Sequence, residues 1–192
     1  MKLYKIYSRA IGLLFALSLL CVGCENEDIL DINDLEISPS NPESVVIVEP
    51  DDGITSVNAL TKAINENGDA TYILRRDGVY YMEGKNVFKH NVVIKAENGS
   101  GKMPIIQPIC DAQGALNADM IRLEGSATFE NIYIIGKDAA TGNLMQRLFR
   151  IDESNVRLKF DNCFIDHCRN FCIRTDNVNN KIYLNNSTIR NL

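Results

Sequence analysis

Three arginines, each two residues ahead of a carboxylate, are the side chains in this sequence best suited to chemistry. They occur in Ile121–Glu124 (Ile-Arg-Leu-Glu), Phe149–Asp152 (Phe-Arg-Ile-Asp) and Ile173–Asp176 (Ile-Arg-Thr-Asp). Arg122, Arg150 and Arg174 are separated by 150 − 122 = 28 and 174 − 150 = 24 residues. Strand alternation turns Ile121/Leu123, Phe149/Ile151 and Ile173/Thr175 to one side, and the three arginines with Glu124, Asp152 and Asp176 to the other. Guanidinium groups grip carboxylates in a forked geometry, and a row of carboxylates offers the hard oxygen ligands that calcium takes. If the three segments stack at the ~4.8 Å spacing of paired strands, like charges repel by roughly 1 kcal/mol at a water-like dielectric and about 3 to 4 at an effective value of 20. Either the two rows neutralise each other in cross-strand ion pairs worth about 0 to 1 kcal/mol each, or they hold a ligand.

Other candidates lie beside this column. Asp166-His167 precedes the third arginine strand and is placed for acid/base work, while His90 sits in a turn next to Asn91. Tyr133 and Phe164 occupy equivalent outward positions and can stack on sugar rings or on each other. Cys163 is a core filler by alignment with Ile132 and Ser187; the Cys168 and Cys172 spacing permits a disulfide but is not that of a zinc site.

The elements that position these residues follow from a second repeat in phase with the first. Ala127–Gly136 (ATFENIYIIG), Leu158–Asp166 (LKFDNCFID) and Ile182–Asn191 (IYLNNSTIRN) each read apolar, any, apolar, acid or amide, Asn, then an apolar residue three places on. Asn131, Asn162 and Asn186 are 162 − 131 = 31 and 186 − 162 = 24 residues apart, a period that calls for a repeat architecture. Two phased strand repeats make each unit a coil of short strands. Ala127/Phe129, Leu158/Phe160 and Ile182/Leu184 should stack inside with Ile134, Ile165 and Ile189. Each Asn stands where the chain turns, because Asn tolerates the left-handed conformation and stacked Asn side chains hydrogen-bond as a ladder.

From about Ala70 onward this pattern resembles the right-handed parallel β-helix of the pectate-lyase-like superfamily. The resemblance implies an all-β solenoid with its substrate on the outward face of the arginine-bearing sheet, an Arg or Lys as base and acidic residues holding calcium. On this chain that implies Arg150 or Arg174 as base, Arg122 binding substrate, and Glu124, Asp152 and Asp176 as calcium ligands; His167 as acid/base beside the column, and Tyr133 and Phe164 as substrate-stacking rings on the Asn-containing sheet, are candidates from their own positions. The chain departs from the pattern at Arg174-Thr175-Asp176, where a galacturonase-like site has Asn-Thr-Asp. A fold does not carry one activity.

The remaining segments fit this frame. Lys2, Lys5 and Arg9 precede an apolar run, Ala10 to Leu20, too short to span a bilayer permanently. With Gly23-Cys24 following, the segment resembles a bacterial lipoprotein signal, residues 1–23, which implies lipidation of Cys24 and tethering to the outer membrane or cell surface, the periplasmic face remaining open; the alternative is an ordinary signal peptide with Cys24 left for a disulfide. Residues 24–43, acidic at first and containing Pro39 and Pro42, read as an extended tether, and 44–192 as the β-helix domain. Val45–Val48 suits a first strand, and Ser56–Asn67 a short capping helix with Thr55 or Ser56 at its start, Val57, Leu60, Ala63 and Ile64 on its inner face and Asn67-Gly68 at its end. Asn91, taken as equivalent to Asn131, puts Lys89 where Phe129 predicts an apolar residue, so the early coil is expected to be bulged. Loops at 109–118 and 136–146 interrupt the repeat and belong to the binding face. The last repeat runs to Leu192 without a cap, from which truncation of a longer chain, or edge pairing with another chain, is expected.

The net charge of −5, the absence of Trp and of any basic run argue against nucleic acid, and phosphate-loop, zinc-protease and serine-nucleophile motifs are missing. The expected function is binding, and on the lyase reading processing, of acidic uronate-containing polysaccharide with calcium as the only cofactor; the alternative is a non-catalytic adhesin-like or structural surface module.

Overall fold

The computed structural model describes residues 44–192, so the signal segment, Cys24 and the tether lie outside the described residues. Short strands wind into a parallel β-solenoid of about six turns, with three sheets rather than two strand repeats per turn. The first sheet carries, in spatial order, β1 (Val45–Val48), β2 (Ala70–Leu74), β5 (Val92–Ala96), β8 (Ala127–Glu130), β11 (Arg157–Asp161) and β14 (Lys181–Asn185). The second runs β3 (Val79–Glu83), β6 (Ile105–Ile109), β9 (Tyr133–Ile135), β12 (Phe164–Asp166) and β15 (Thr188–Arg190). The third runs β4 (Val87–Phe88), β7 (Asp119–Leu123), β10 (Arg147–Ile151) and β13 (Phe171–Thr175). Every pairing within the sheets is parallel.

The third sheet arises because the Asn repeat spans a corner. Asn131, Asn162 and Asn186 all adopt left-handed backbone, φ 57°, 50° and 46°, and this bend separates β8 from β9, β11 from β12 and β14 from β15. Asn162 Nδ2 donates to Asn131 Oδ1 at 2.6 Å, one rung of the expected ladder. The inward rows hold as well: Ala127, Leu158 and Ile182 are in register, as are Phe129, Phe160 and Leu184. Phe129 and Phe160 stack at 5.4 Å between centroids, and Phe149 of β10 meets both rings edge-on at 5.4 and 5.3 Å. In the last turn the same positions are open, with Ile182 43% and Leu184 48% exposed.

The early coil is regular, contrary to the expectation built on Asn91. Val92 pairs with Ala127 and Ile94 with Phe129, so Asn91 aligns with Ser126, whose N–H donates to Asn91 Oδ1 at 3.0 Å, and Lys89 lies in the exposed turn between β4 and β5. Two Asn residues followed by apolar pairs look alike in sequence; the inward apolar row decides the register.

The helix α1 (Ala59–Asn67) starts three residues later than expected. Its first N–H, on Ala59, is met by Asp51 Oδ1 at 3.1 Å, not by Thr55 or Ser56, whose backbone N–H groups turn to Asp52. Asn58, at φ 62°, instead hooks the helix to β3 through Glu83 N and O. Leu60, Thr61 and Ile64 are buried and α1 packs on β1, β2, β3 and β4, covering that end of the core; Gly68 ends the helix as expected.

Candidate functional site

Parallel register brings Arg122, Arg150 and Arg174 side by side on β7, β10 and β13. The acids are interleaved with them. Asp152 sits between two guanidinium groups, Oδ2 2.6 Å from Arg122 Nε and Oδ1 2.7 Å from Arg150 Nε. Asp176 repeats the arrangement one turn on, 3.1 Å from Arg174 Nη2 and 3.6 Å from Arg150 Nη2. Below the row, Arg147 pairs with Asp119, a buried acid of the neighbouring strand. Glu124 is exposed past the end of β7 and has no ion pair among the described residues. The column is therefore a diagonal zipper in which each acid screens two arginines.

This arrangement bears on chemistry. A general base must give up its proton, yet the hydrogen bond to Asp152 holds the Arg150 guanidinium above its ordinary value, the wrong direction for a base. Burial raises the Asp152 carboxyl, and Arg122 and Arg150 outweigh it to hold the group below the usual carboxylate range. Of the three acids expected to hold calcium, Asp152 and Asp176 are engaged by arginines, and among the described residues no group of three or more His, Cys, Asp or Glu side chains is placed to hold a metal ion.

His167 takes the corner between β12 and β13, at φ 55°, with Nδ1 2.8 Å from Asp166 Oδ1. Asp166 is only 1% exposed and accepts hydrogen bonds from Tyr133 Oη and Arg190 Nε, both at 2.9 Å, and from Asn191 Nδ2 at 2.7 Å. It knits β9, β12 and β15 together. His90 faces Asp69 at 3.2 Å, far along the chain from the arginine column. The four described cysteines are free thiols, Cys168 and Cys172 included. Cys163 is core filler as expected, and burial pushes its thiol up to about 11.

Tyr133 and Phe164 are brought together on the outer face of the second sheet, in register and edge-to-face at 6.4 Å. They form the wall of a mainly apolar groove of about 460 Å³ that Lys102, Met103, Ile105 and Arg190 complete. Phe164 is 41% exposed, and the Lys102 ammonium has no ion pair among the described residues. Lys102, Met103 and Arg190 carry no motif; they reach the groove because the turn before β6 and the last strand flank the same face. Their positions follow from insert lengths between coils, which no local pattern encodes.

The geometry defines a parallel β-solenoid with a self-neutralised charge column and an aromatic, cation-rimmed groove. No family model matches the chain, and no curated protein matches it.

Proposed function

We propose that this protein is a non-catalytic β-solenoid module outside the cytoplasm, held at a membrane by lipid on Cys24, that binds acidic polysaccharide. The observation that carries this reading is the groove on the second sheet. Tyr133 and Phe164 offer ring faces and edges to the apolar side of a sugar, while Lys102 stands at its margin for carboxylates and Arg190, held by Asp166 through Nε and Nη2, frames the groove. The pectate-lyase-like resemblance favours the same ligand class, but the lyase reading needs a base and calcium ligands that the zipper engages elsewhere. Arg122, Arg150 and Arg174 serve here as a stabilising face.

Titration calorimetry of the full chain with oligogalacturonate, against a neutral oligosaccharide of equal length, tests the proposal. Preference for the uronate, weakening with salt and falling about tenfold (1.4 kcal/mol) in Tyr133→Ala, is expected, without formation of unsaturated product. Equal affinity for the neutral sugar, or unsaturated product that disappears in Arg150→Ala, would overturn it.

A further inference from the structure

Two loops interrupt the coil rhythm between the second and third sheets, 110–118 after β6 and 136–146 after β9. They enclose a cleft of about 640 Å³ with the turn that carries Arg169, a size within the roughly 300–1,000 Å³ of small-molecule sites. From this cleft we infer a second binding site, for a carboxylate-bearing sugar unit, distinct from the Tyr133/Phe164 groove. The inference rests on the reading of the ligand as acidic polysaccharide.

The loops are built to hold one shape. Asp138, 1% exposed, ties them to each other by accepting from Cys110 N at 3.2 Å and from Thr141 N and Oγ1, both at 2.6 Å. Asp111 Oδ1 closes the first loop through Gln113 N at 3.0 Å and Ala115 N at 2.9 Å. An antiparallel bridge between Lys137 and Leu144 closes the second. Arg169 N donates to Met145 O at 2.9 Å, fixing its backbone to the second loop.

The lining contrasts with this framework. Asn117, Asn143, Gln146 and Arg169 all line the cleft, and none of their side chains has a hydrogen bond or ion pair among the described residues. Amides both donate and accept, as sugar hydroxyls do, and a guanidinium takes a carboxylate with two parallel bonds. Leu116 and Leu144 add apolar surface for a ring's C–H face. Loops already held in one shape lose little entropy on binding, and the exposed side chains of Asn143, Gln146 and Arg169 exchange water for hydrogen bonds to a ligand there.

Titration of the full chain with trigalacturonate, and with the same trisaccharide reduced to its neutral form, tests the inference. Two equivalents are expected to bind the wild type, one at each site. Arg169→Ala should remove one equivalent or weaken it at least tenfold, Arg169→Lys should restore part of it, and Tyr133→Ala should affect only the other. Loss confined to Tyr133→Ala, with Arg169→Ala unchanged, overturns the cleft site and leaves the proposed function standing. Loss confined to Arg169→Ala supports the cleft and removes the groove. If the wild type binds neither variant-sensitive equivalent, both readings fall.

Discussion

Asp152 shows how a single carboxylate decides the character of a face. Placed between Arg122 Nε and Arg150 Nε, it converts a repulsive row of cations into a zipper. Asp152→Asn is expected to lower stability by about 1 to 2 kcal/mol, since hydrogen bonds to charged groups contribute roughly 1.5 to 3 and this one is partly open to solvent. Urea unfolding measures it; an unchanged midpoint would mean that water, not Asp152, carries the guanidinium charge. Acid behaviour follows from the same kind of group. Burial raises Asp152, Asp166 and Asp138, but hydrogen bonds outweigh it: Arg122 and Arg150 at the first, Asn191, Tyr133 and Arg190 at the second, Thr141 and the Cys110 N–H at the third. A carboxyl lowered in the folded state adds stability that is fully present above its unfolded value of about 3.9 and is lost as pH falls through the folded value. Asp51, raised chiefly by burial, has the opposite sign, and acidification relieves the cost of its ionisation. Asp52 and Glu97 are lowered too, by hydrogen bonds from Thr55 and from the Arg76 N–H respectively, and five groups against one predict a net loss of stability below about pH 4, measurable as a falling thermal midpoint. A midpoint that rises there would show that Asp51 dominates.

At the scale of elements, the corners and the aromatic stack hold successive coils in register. Asn162 combines φ 50° with a 2.6 Å hydrogen bond to Asn131. Asn162→Ala should therefore cost about 1 to 2 kcal/mol, and Asn162→Gly, which keeps the backbone freedom, should cost less; equal losses would place the whole effect in the ladder. Phe149 joins the third sheet to Phe129 and Phe160 of the first, and its truncation to Ala is expected to cost about 3 to 5 kcal/mol, read by chemical unfolding. A loss under 1 kcal/mol would mean that the stack collapses readily around the gap. Gly136 marks another close approach: a Cβ there would lie 2.2 Å from His167 O and 2.4 Å from Leu148 Cδ2. This explains Gly at the position aligned with His167, where the repeat itself asks for no glycine.

Over the described molecule, protection should be uneven. Leu158 and Phe160 of β11 are fully buried while Ile182 and Leu184, their in-register successors on β14, are about half exposed. In a solenoid each turn is stabilised by its neighbours, so amides of β14 and β15 are expected to exchange with solvent faster than those of β8 and β11. Uniform exchange, measured by mass spectrometry on the full chain, would mean that the last turn is covered in solution. At the other end α1 already covers β2, β3 and β4, and the same experiment should find β2 protected.

The sequence by itself determined the solenoid, the inward rows, the left-handed Asn corners and the alignment of the three arginines. Each of these is written in short periodic patterns whose physics is local: alternation in a strand, and the tolerance of Asn for positive φ. It did not determine the third sheet, because a turn marked by Asn does not say whether the strands on either side of it join one sheet or two until they find their partners. Nor did it fix the coil at Asn91, where two local signals conflicted and core packing chose between them. Only the tertiary structure decided what the charged column does, since Asp152 can reach Arg122 and Arg150 at once only when β7 and β10 lie side by side. The groove and the cleft were decided in the same way: Lys102 and Arg190, or Asn117 and Arg169, are far apart in the chain, and what joins them is the number of residues each coil spends before returning to the same face.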